Sequence, residues 1–379
     1  SSGPRAIASS NVPPSSSCIA ASVSRYRGAP VPRVSTLVRL IAAAGAVLLL
    51  LAAGYSSGRD KDAVRARLAY GAMQRTYLDP RSGDYRQTPR GRVGSHAWPF
   101  SQALAATIEV GRLGGSGAAV RRGVPRRLLK LDHRFRTHGV YRAAPGGAVY
   151  WDDNEWIAQD LLDWNALRGS TSARRKAQQI FHAVTRAWDN DPRKVCPGGV
   201  QWTDARGNDD RNTVSTANGA VVGLRLYLLT RRASYLHWSQ QMIGWVEQCL
   251  RDTDGLYGDH IGGDGSIDRT EWSYNQGSML AAYRLLYRAT GNRADLTRAE
   301  AIADATLAAF RRRWSREPAA FAAIFFRRLL DLAALDRRQS YVAAAQRYAD
   351  KLWRAPRPQL FAQAALVQVY AALAATGVP

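Results

Sequence analysis

Cysteine is scarce, with three in 379 residues, and no two stand at metal-ligand spacing, which excludes a cysteine-built metal site. Acid is scarce as well: 30 Asp and Glu stand against 53 Lys and Arg, for a formal net charge of +23. That imbalance would suit a phosphate-bearing partner, but a long basic block is missing and so is any nucleic-acid motif. Arginines greatly outnumber lysines and are spread over most segments, so no nucleic acid is expected as a partner. A full membrane-spanning run is missing too. The longest apolar stretch, Leu40 to Ala53, falls short of the roughly 20 residues of a comfortable span.

Residues 1–36 are rich in Ser, Pro and Ala and contain no acid; such a stretch cannot build a core and is expected to be disordered. Residues 37–57 place Arg39 before the apolar run and small residues after it, the layout of a signal peptide, with an uncleaved membrane anchor as the other reading. Export is therefore expected, to the outer face of the membrane or beyond. An oxidising compartment would let Cys196 and Cys249 pair; two buried thiols would account for them equally well.

From residue 60 onward, apolar residues recur at three and four positions, with Gly, Pro or Asn at the breaks, and few segments read as strands. The pattern predicts helices over about 60–78, 96–113, 117–131, 154–168, 171–190, 212–230, 232–249, 273–290, 293–313, 317–335, 338–353 and 358–376. Every second one follows a long aromatic or polar loop, among them "VGSHAWPF", "AVYWDDNEW", "VQWTDARGNDDRNTVSTANG" and "GGDGSIDRTEWSYNQG". In an array of antiparallel hairpins those loops share one rim. The expected fold is all-α, a toroid of six hairpins with a cleft at the N-termini of its inner helices.

The loop "VYWDDNEW" places Asp152 and Asp153 side by side before a helix. Asp152 with Glu155 three residues on fits an N-terminal cap. A cap needs only one acid, however, and the second adds like-charge repulsion. Side chains of consecutive residues entering a helix would hold their carboxyl groups on the order of 5 to 6 Å apart, the spacing of retaining glycosidases. One carboxylate could attack an anomeric carbon while its neighbour protonates the leaving oxygen. Trp98, Tyr150, Trp151, Trp202 and Trp272 would offer flat faces to sugar rings, although core packing is the ordinary fate of any one of them.

"YWDDNEWIAQDLLD", "GGVQW", "RNTVSTANGAVVGLRLYLLT", "EWSYNQGSMLAAYRLLYRATGN" and "FAAIFFRRLLDL" occur in this order from about residue 60 to the C-terminus. Together they resemble glycoside hydrolase family 76, the α-1,6-mannanases. The resemblance implies an (α/α)6 barrel over residues 58–379 and endo-hydrolysis of α-1,6-linked mannan with retention, without a cofactor. It makes Asp152 the nucleophile and Asp153 the general acid/base, roles that the residues alone leave interchangeable. Trp151, Asn154, Asn218, Tyr274, Asn275 and Gln276 match motif positions expected to line the cleft beside Trp98 and Trp202. "TVSTANG" departs from the shorter segment typical of the family at Asn218. The expected partner is mannan or a mannose-containing oligosaccharide, and the expected state a monomer.

Other readings remain open on sequence. "HIGGDGSIDRTE" partly follows a calcium-loop pattern, but His260 and Gly262 occupy its first and third ligand positions, which favours a polar rim loop. His96 could contact sugar or simply end a helix. An inverting enzyme would pair Asp153 with a distant acid such as Glu271, and a glycan-binding protein would keep the cleft without needing paired acids.

Overall fold

The computed structural model describes residues 58–377; the expectations for the segments 1–36 and 37–57 lie outside the described residues. Helix α1 covers 58–77. It is followed by α2 (Ala97–Arg112), α3 (Gly117–Arg122), α4 (Val124–Phe135), α5 (Trp151–Arg168), α6 (Thr171–Arg186) and α7 (Thr213–Thr230). Next come α8 (Ala233–Cys249), α9 (Ser273–Thr290), α10 (Arg293–Ala309), α11 (Ala319–Asp336), α12 (Gln339–Arg354) and α13 (Leu360–Ala375). One predicted helix is two: Gly123 separates α3 from α4, and Pro125 lies in the first turn of α4, where its missing N–H costs no helical bond.

Six helices close a ring. α2 packs on α5, α5 on α7, α7 on α9, α9 on α11, α11 on α13, and α13 back on α2. Outside them, α4 lies against α2, α6 against α5, α8 against α7, α10 against α9 and α12 against α11, while α1 meets α13 where Gln363 Nε2 donates to the Ala69 carbonyl at 2.9 Å. This is the expected (α/α)6 barrel.

The two layers differ in sequence because they bury different amounts of surface. Outer helix α12 buries one stripe, Tyr341, Ala345, Tyr348, Ala349 and Leu352, at the spacing of a single helical face. Inner helix α2 is buried on nearly every side, from Ala97 through Gly111, as a helix between an outer layer and a barrel axis must be. Close approach has its own marker: a Cβ on Gly277 would lie 2.8 Å from the Phe325 Cα, so α9 and α11 can touch there only without a side chain.

The rim loops carry short ladders. β1 (Arg136–Thr137) pairs with β2 (Val140–Tyr141), and β3 (Arg211–Asn212), β4 (His260–Ile261) and β5 (Ile267–Asp268) form an antiparallel three-strand patch. The patch is anchored from below. Arg211, fully buried, donates to the carbonyls of Val195 and Cys196 at 2.9 and 2.8 Å. Cys196 is bonded to Cys249 at the end of α8, with Cα atoms 6.1 Å apart, so of the two readings left open for these cysteines the disulfide holds.

Candidate active site

The N-terminal ends of the inner helices surround a cleft of about 690 Å³. Trp98 and His96 enter it from the start of α2, Asp152, Asp153 and Trp156 from α5, and Asn212 and Val214 from the start of α7. Tyr274 of α9, Phe321 and Ile324 of α11, and Phe361 of α13 complete the walls. Trp98 stacks on Phe361 with centroids 5.4 Å apart, and Tyr274 meets Phe321 edge-on at 4.4 Å. These flat faces line a polar floor, the arrangement that binds the apolar faces and hydroxyl edges of pyranose rings.

The two acids do not cap α5. Tyr150 is the N-cap residue and makes no side-chain cap bond, leaving Asp152 and Asp153 in the first turn. The chain stays extended to residue 150 because Tyr150 forms a β-bridge with Thr203, and the Trp151 N–H donates to the Trp202 carbonyl at 2.9 Å. The expected capping box fails as well: Glu155 is fully buried and neither of its carboxyl oxygens has a partner within the protein.

Their environments separate the two acids. Burial pushes Asp152 up to about 6, but hydrogen bonds from the Asp153 backbone N–H and the Trp202 side chain oppose the rise. Asp153 is driven well above the usual carboxylate range by burial and by the charge of Asp152, with no opposing contribution. Of a coupled pair, the member that receives hydrogen bonds ionises first. The hydrogen bonds thus favour the charged form at Asp152 over Asp153.

Of the other residues expected at the site, Trp98, Trp202 and Tyr274 line the cleft. The other five, which were also expected there, are not among the residues that line it. Asn154 is fully buried, accepting from the Tyr141 N–H at 2.7 Å and donating to the carbonyls of Tyr141 and Tyr150 at 2.8 Å each; it fastens the β1–β2 turn to α5. Trp151 packs against the core. Asn218 is buried between Gln159 Nε2 and the Val214 carbonyl, at 3.1 and 3.0 Å. Gln276 binds both backbone groups of Tyr257, at 3.0 and 2.8 Å, fixing the loop before β4 to α9. Asn275 is buried and donates to Asp259 Oδ1 at 3.1 Å. An α-helix turns about 100° per residue, so Asn275 and Gln276, which follow cleft-facing Tyr274 in α9, and Asn154, which follows Asp153 in α5, turn into the wall.

Sequence reasoning passed over Asp210, Asn212, Asp259, Phe321 and Phe361 and weighed His260 only within a partial calcium-loop pattern; all six line the cleft. Asp259 is the most consequential. It lies within reach of the Tyr274 hydroxyl at 3.4 Å and His260 Nδ1 at 3.1 Å, and burial followed by the Asp259 charge raises the Tyr274 phenol far above its usual value. Among the described residues, Asp259, His260 and Asp268 also bring ligand atoms within 4.8 Å of one another. Asp268 accepts from the Thr270 N–H at 2.7 Å, and the stretch after His260 is the β4–β5 hairpin, in which Asp264 closes its own turn onto the Ser266 N–H at 2.9 Å.

The family model of glycosyl hydrolase family 76 matches residues 63–342. The chain belongs to that family. Among curated relatives, the mannan endo-1,6-alpha-mannosidase DCW1 of Saccharomyces cerevisiae is 32% identical over 127 residues, 31% of this chain and 27% of that protein. DCW1 of Candida glabrata is 30% identical over 126 residues, 30% of this chain and 27% of the relative. The matched stretch thus spans about a quarter of these relatives' length. Among solved structures, a family 76 glycoside hydrolase from a bovine Bacteroides thetaiotaomicron strain superposes with a TM-score of 0.75 at 22% identity, covering 84% of this chain and 78% of that one. An inactive variant of the α-1,6-mannanase of Salegentibacter sp., with two consecutive aspartates replaced by asparagine, is seen with α-1,6-mannotriose; it superposes with a TM-score of 0.70 at 19% identity, over 83% of this chain and 99% of that one.

Proposed function

We propose that this chain is an exported, monomeric endo-α-1,6-mannosidase that cleaves mannan, or a mannose-containing envelope glycan, with retention of configuration. The observation that carries the proposal is the pair of adjacent acids that α5 presents to the cleft, Asp152 and Asp153; burial raises both, and only Asp152 has hydrogen bonds opposing the rise, which suits it to the anionic role. Asp152 attacks the anomeric carbon and forms a glycosyl-enzyme, while Asp153 gives its proton to the departing glycosidic oxygen. Asp153, now a base, takes a proton from the water that releases the sugar. Trp98, Trp202, Tyr274 and Phe321 would hold the mannosyl rings. The distant acid suggested for an inverting mechanism is engaged elsewhere, since Glu271 is bound to Arg313 at 2.8 Å and does not line the cleft.

One further observation supports export: the Cys196–Cys249 disulfide suits an oxidising compartment. No described helix is long and apolar enough to cross a membrane. The deciding experiment incubates the purified chain with linear α-1,6-mannan and follows the products. Oligosaccharides of intermediate length, appearing first as the α-anomer in the NMR spectrum, are expected. Release of mannose alone, a first-formed β-anomer, or no release would overturn the reading.

A further inference from the structure

The barrel's other end, framed by the C-terminal halves of the inner helices, holds a second cavity of about 460 Å³. Six arginines line it: Arg112, Arg225, Arg284, Arg288, Arg327 and Arg328. Three carboxylates line it with them, from Glu109, Asp163 and Asp331, and these are shared; a fourth acid, Asp160, lies buried within electrostatic reach of Arg225 and Arg327. Asp163 serves Arg112 and Arg225 at 2.9 and 2.7 Å, Glu109 serves Arg112 and Arg327 at 3.3 and 2.7 Å, and Asp331 serves Arg284 and Arg328 at 3.2 and 3.6 Å. Even with Asp160 counted, these arginines outnumber the acids that face them, and four of the six are largely shielded from solvent.

Helix dipoles do not neutralise that excess. Their negative ends act within the last turn, and the last turns of the inner helices hold only Arg112 and Arg288 among these six. Arg225, Arg284, Arg327 and Arg328 lie deeper, with side chains 18%, 11%, 13% and 12% exposed. Burial pushes the Arg328 guanidinium down to about 10, with Arg327 adding to the effect, and burial lowers Arg284 as well. Arg284 also leaves a specific donor unused: its Nε–H is buried and has no partner within the protein, in a residue only 9% exposed.

We propose that this cavity binds the phosphate group of a small phosphorylated ligand. A dianion with three equivalent oxygens meets the surplus charge, and the planar forks of several guanidinium groups suit it better than lysine ammonium groups would. The cavity is larger than phosphate requires and falls within the usual range for organic ligands. Leu162, Leu285 and Leu330 line it beside the arginines, giving an ester's organic part an apolar wall. The site is distinct from the cleft, whose residues come from the opposite ends of the same helices.

Titration calorimetry on the full chain tests this, in chloride buffer at neutral pH, with inorganic phosphate, a hexose 6-phosphate and glycerol 3-phosphate as probes. Saturable binding of at least one probe at a single site is expected. Equal affinity for all three would make the free anion the ligand, whereas tenfold or tighter binding of one ester would make the organic part a determinant. Arg284→Gln should weaken binding at least tenfold. Arg288→Glu, at an exposed position where folding is not at risk, should do the same while leaving mannan hydrolysis unchanged. Heats no larger than those of sodium chloride at matched ionic strength would overturn the proposal and leave the arginines a structural network. Undiminished binding by Arg288→Glu would overturn it equally.

Discussion

Asn275 Nδ2 donates to Asp259 Oδ1 at 3.1 Å, so a motif residue expected to touch sugar instead holds an acid that does face the cleft. A hydrogen bond to a charged partner contributes about 1.5–3 kcal/mol. Asn275→Ala should therefore lower kcat/KM on mannan roughly tenfold or more, with the barrel intact by circular dichroism. Unchanged kinetics would mean that Asp259 needs no positioning.

Asp259 also bears on the pair, because its charge helps raise Asp152. Removing that charge makes ionisation of Asp152 easier. Asp259→Asn should thus move the acidic limb of the kcat/KM profile to lower pH, whatever it does to the maximum. A limb that stays in place would separate Asp259 electrically from Asp152.

On the proposed mechanism, activity of the wild-type chain requires ionised Asp152 and protonated Asp153. The acidic limb is expected near pH 6, where Asp152 titrates, and the basic limb well above it, where Asp153 loses its proton. Free-enzyme pKa values govern kcat/KM, so that ratio is the quantity to follow. Full activity at pH 4 would refute the assignment.

The helices were legible because burial repeats with the helical period, and the ring because long loops precede alternate helices. The cleft was legible only in part. On local pattern alone Asp152 also fitted a cap, because Ser, Asn and Asp before an apolar run usually are caps; the Tyr150–Thr203 bridge, which moves the helix start back to Trp151, joins loops 53 positions apart and leaves no local trace. Asp259, Phe321 and Phe361 reach the cleft from three separate segments, each ordinary in its own neighbourhood. Motif residues such as Asn154 and Gln276 carried their signal for another reason: they bond backbone groups that no side chain of another shape would satisfy.

Beneath the pair, Glu155 is raised well above its ordinary value by burial, with the Asp152 charge adding to it. The native carboxyl keeps a proton that the unfolded chain releases near pH 4.3, so stability falls as pH rises from there through the folded value. Glu155→Gln removes that titration. The melting temperature of the variant relative to wild type should climb between pH 4 and pH 8, and a constant difference would show that Glu155 ionises normally.

Cys196 and Cys249 close a loop with a sequence separation of 53. Chain entropy alone assigns such a crosslink about 4 kcal/mol. The double replacement Cys196→Ala/Cys249→Ala should lose stability of that order in denaturant titrations, and it should also loosen the loop that presents Trp202. Loss of activity with reductant in the wild-type chain, but not in the double variant, would report the disulfide itself.

The acid pair admits the sharpest test. Because Tyr150 is the N-cap residue, Asp152 and Asp153 contribute to α5 at most a first-turn charge worth under about 1 kcal/mol, and because burial raises both carboxyls, replacing either with Asn should not lower the melting temperature at neutral pH. Hydrolysis should nearly vanish in both, since an amide is neither an anionic nucleophile nor an acid of suitable strength. The two variants should nonetheless differ. With an α-mannoside bearing a good leaving group, Asp153→Asn needs no proton for the first step but lacks the base for the second, so a glycosyl-enzyme should accumulate and add one sugar to the intact mass. Asp152→Asn has no group to carry that sugar. An adduct on Asp152→Asn would exchange the two roles, and near-normal turnover by either variant would remove the pair from the chemistry altogether.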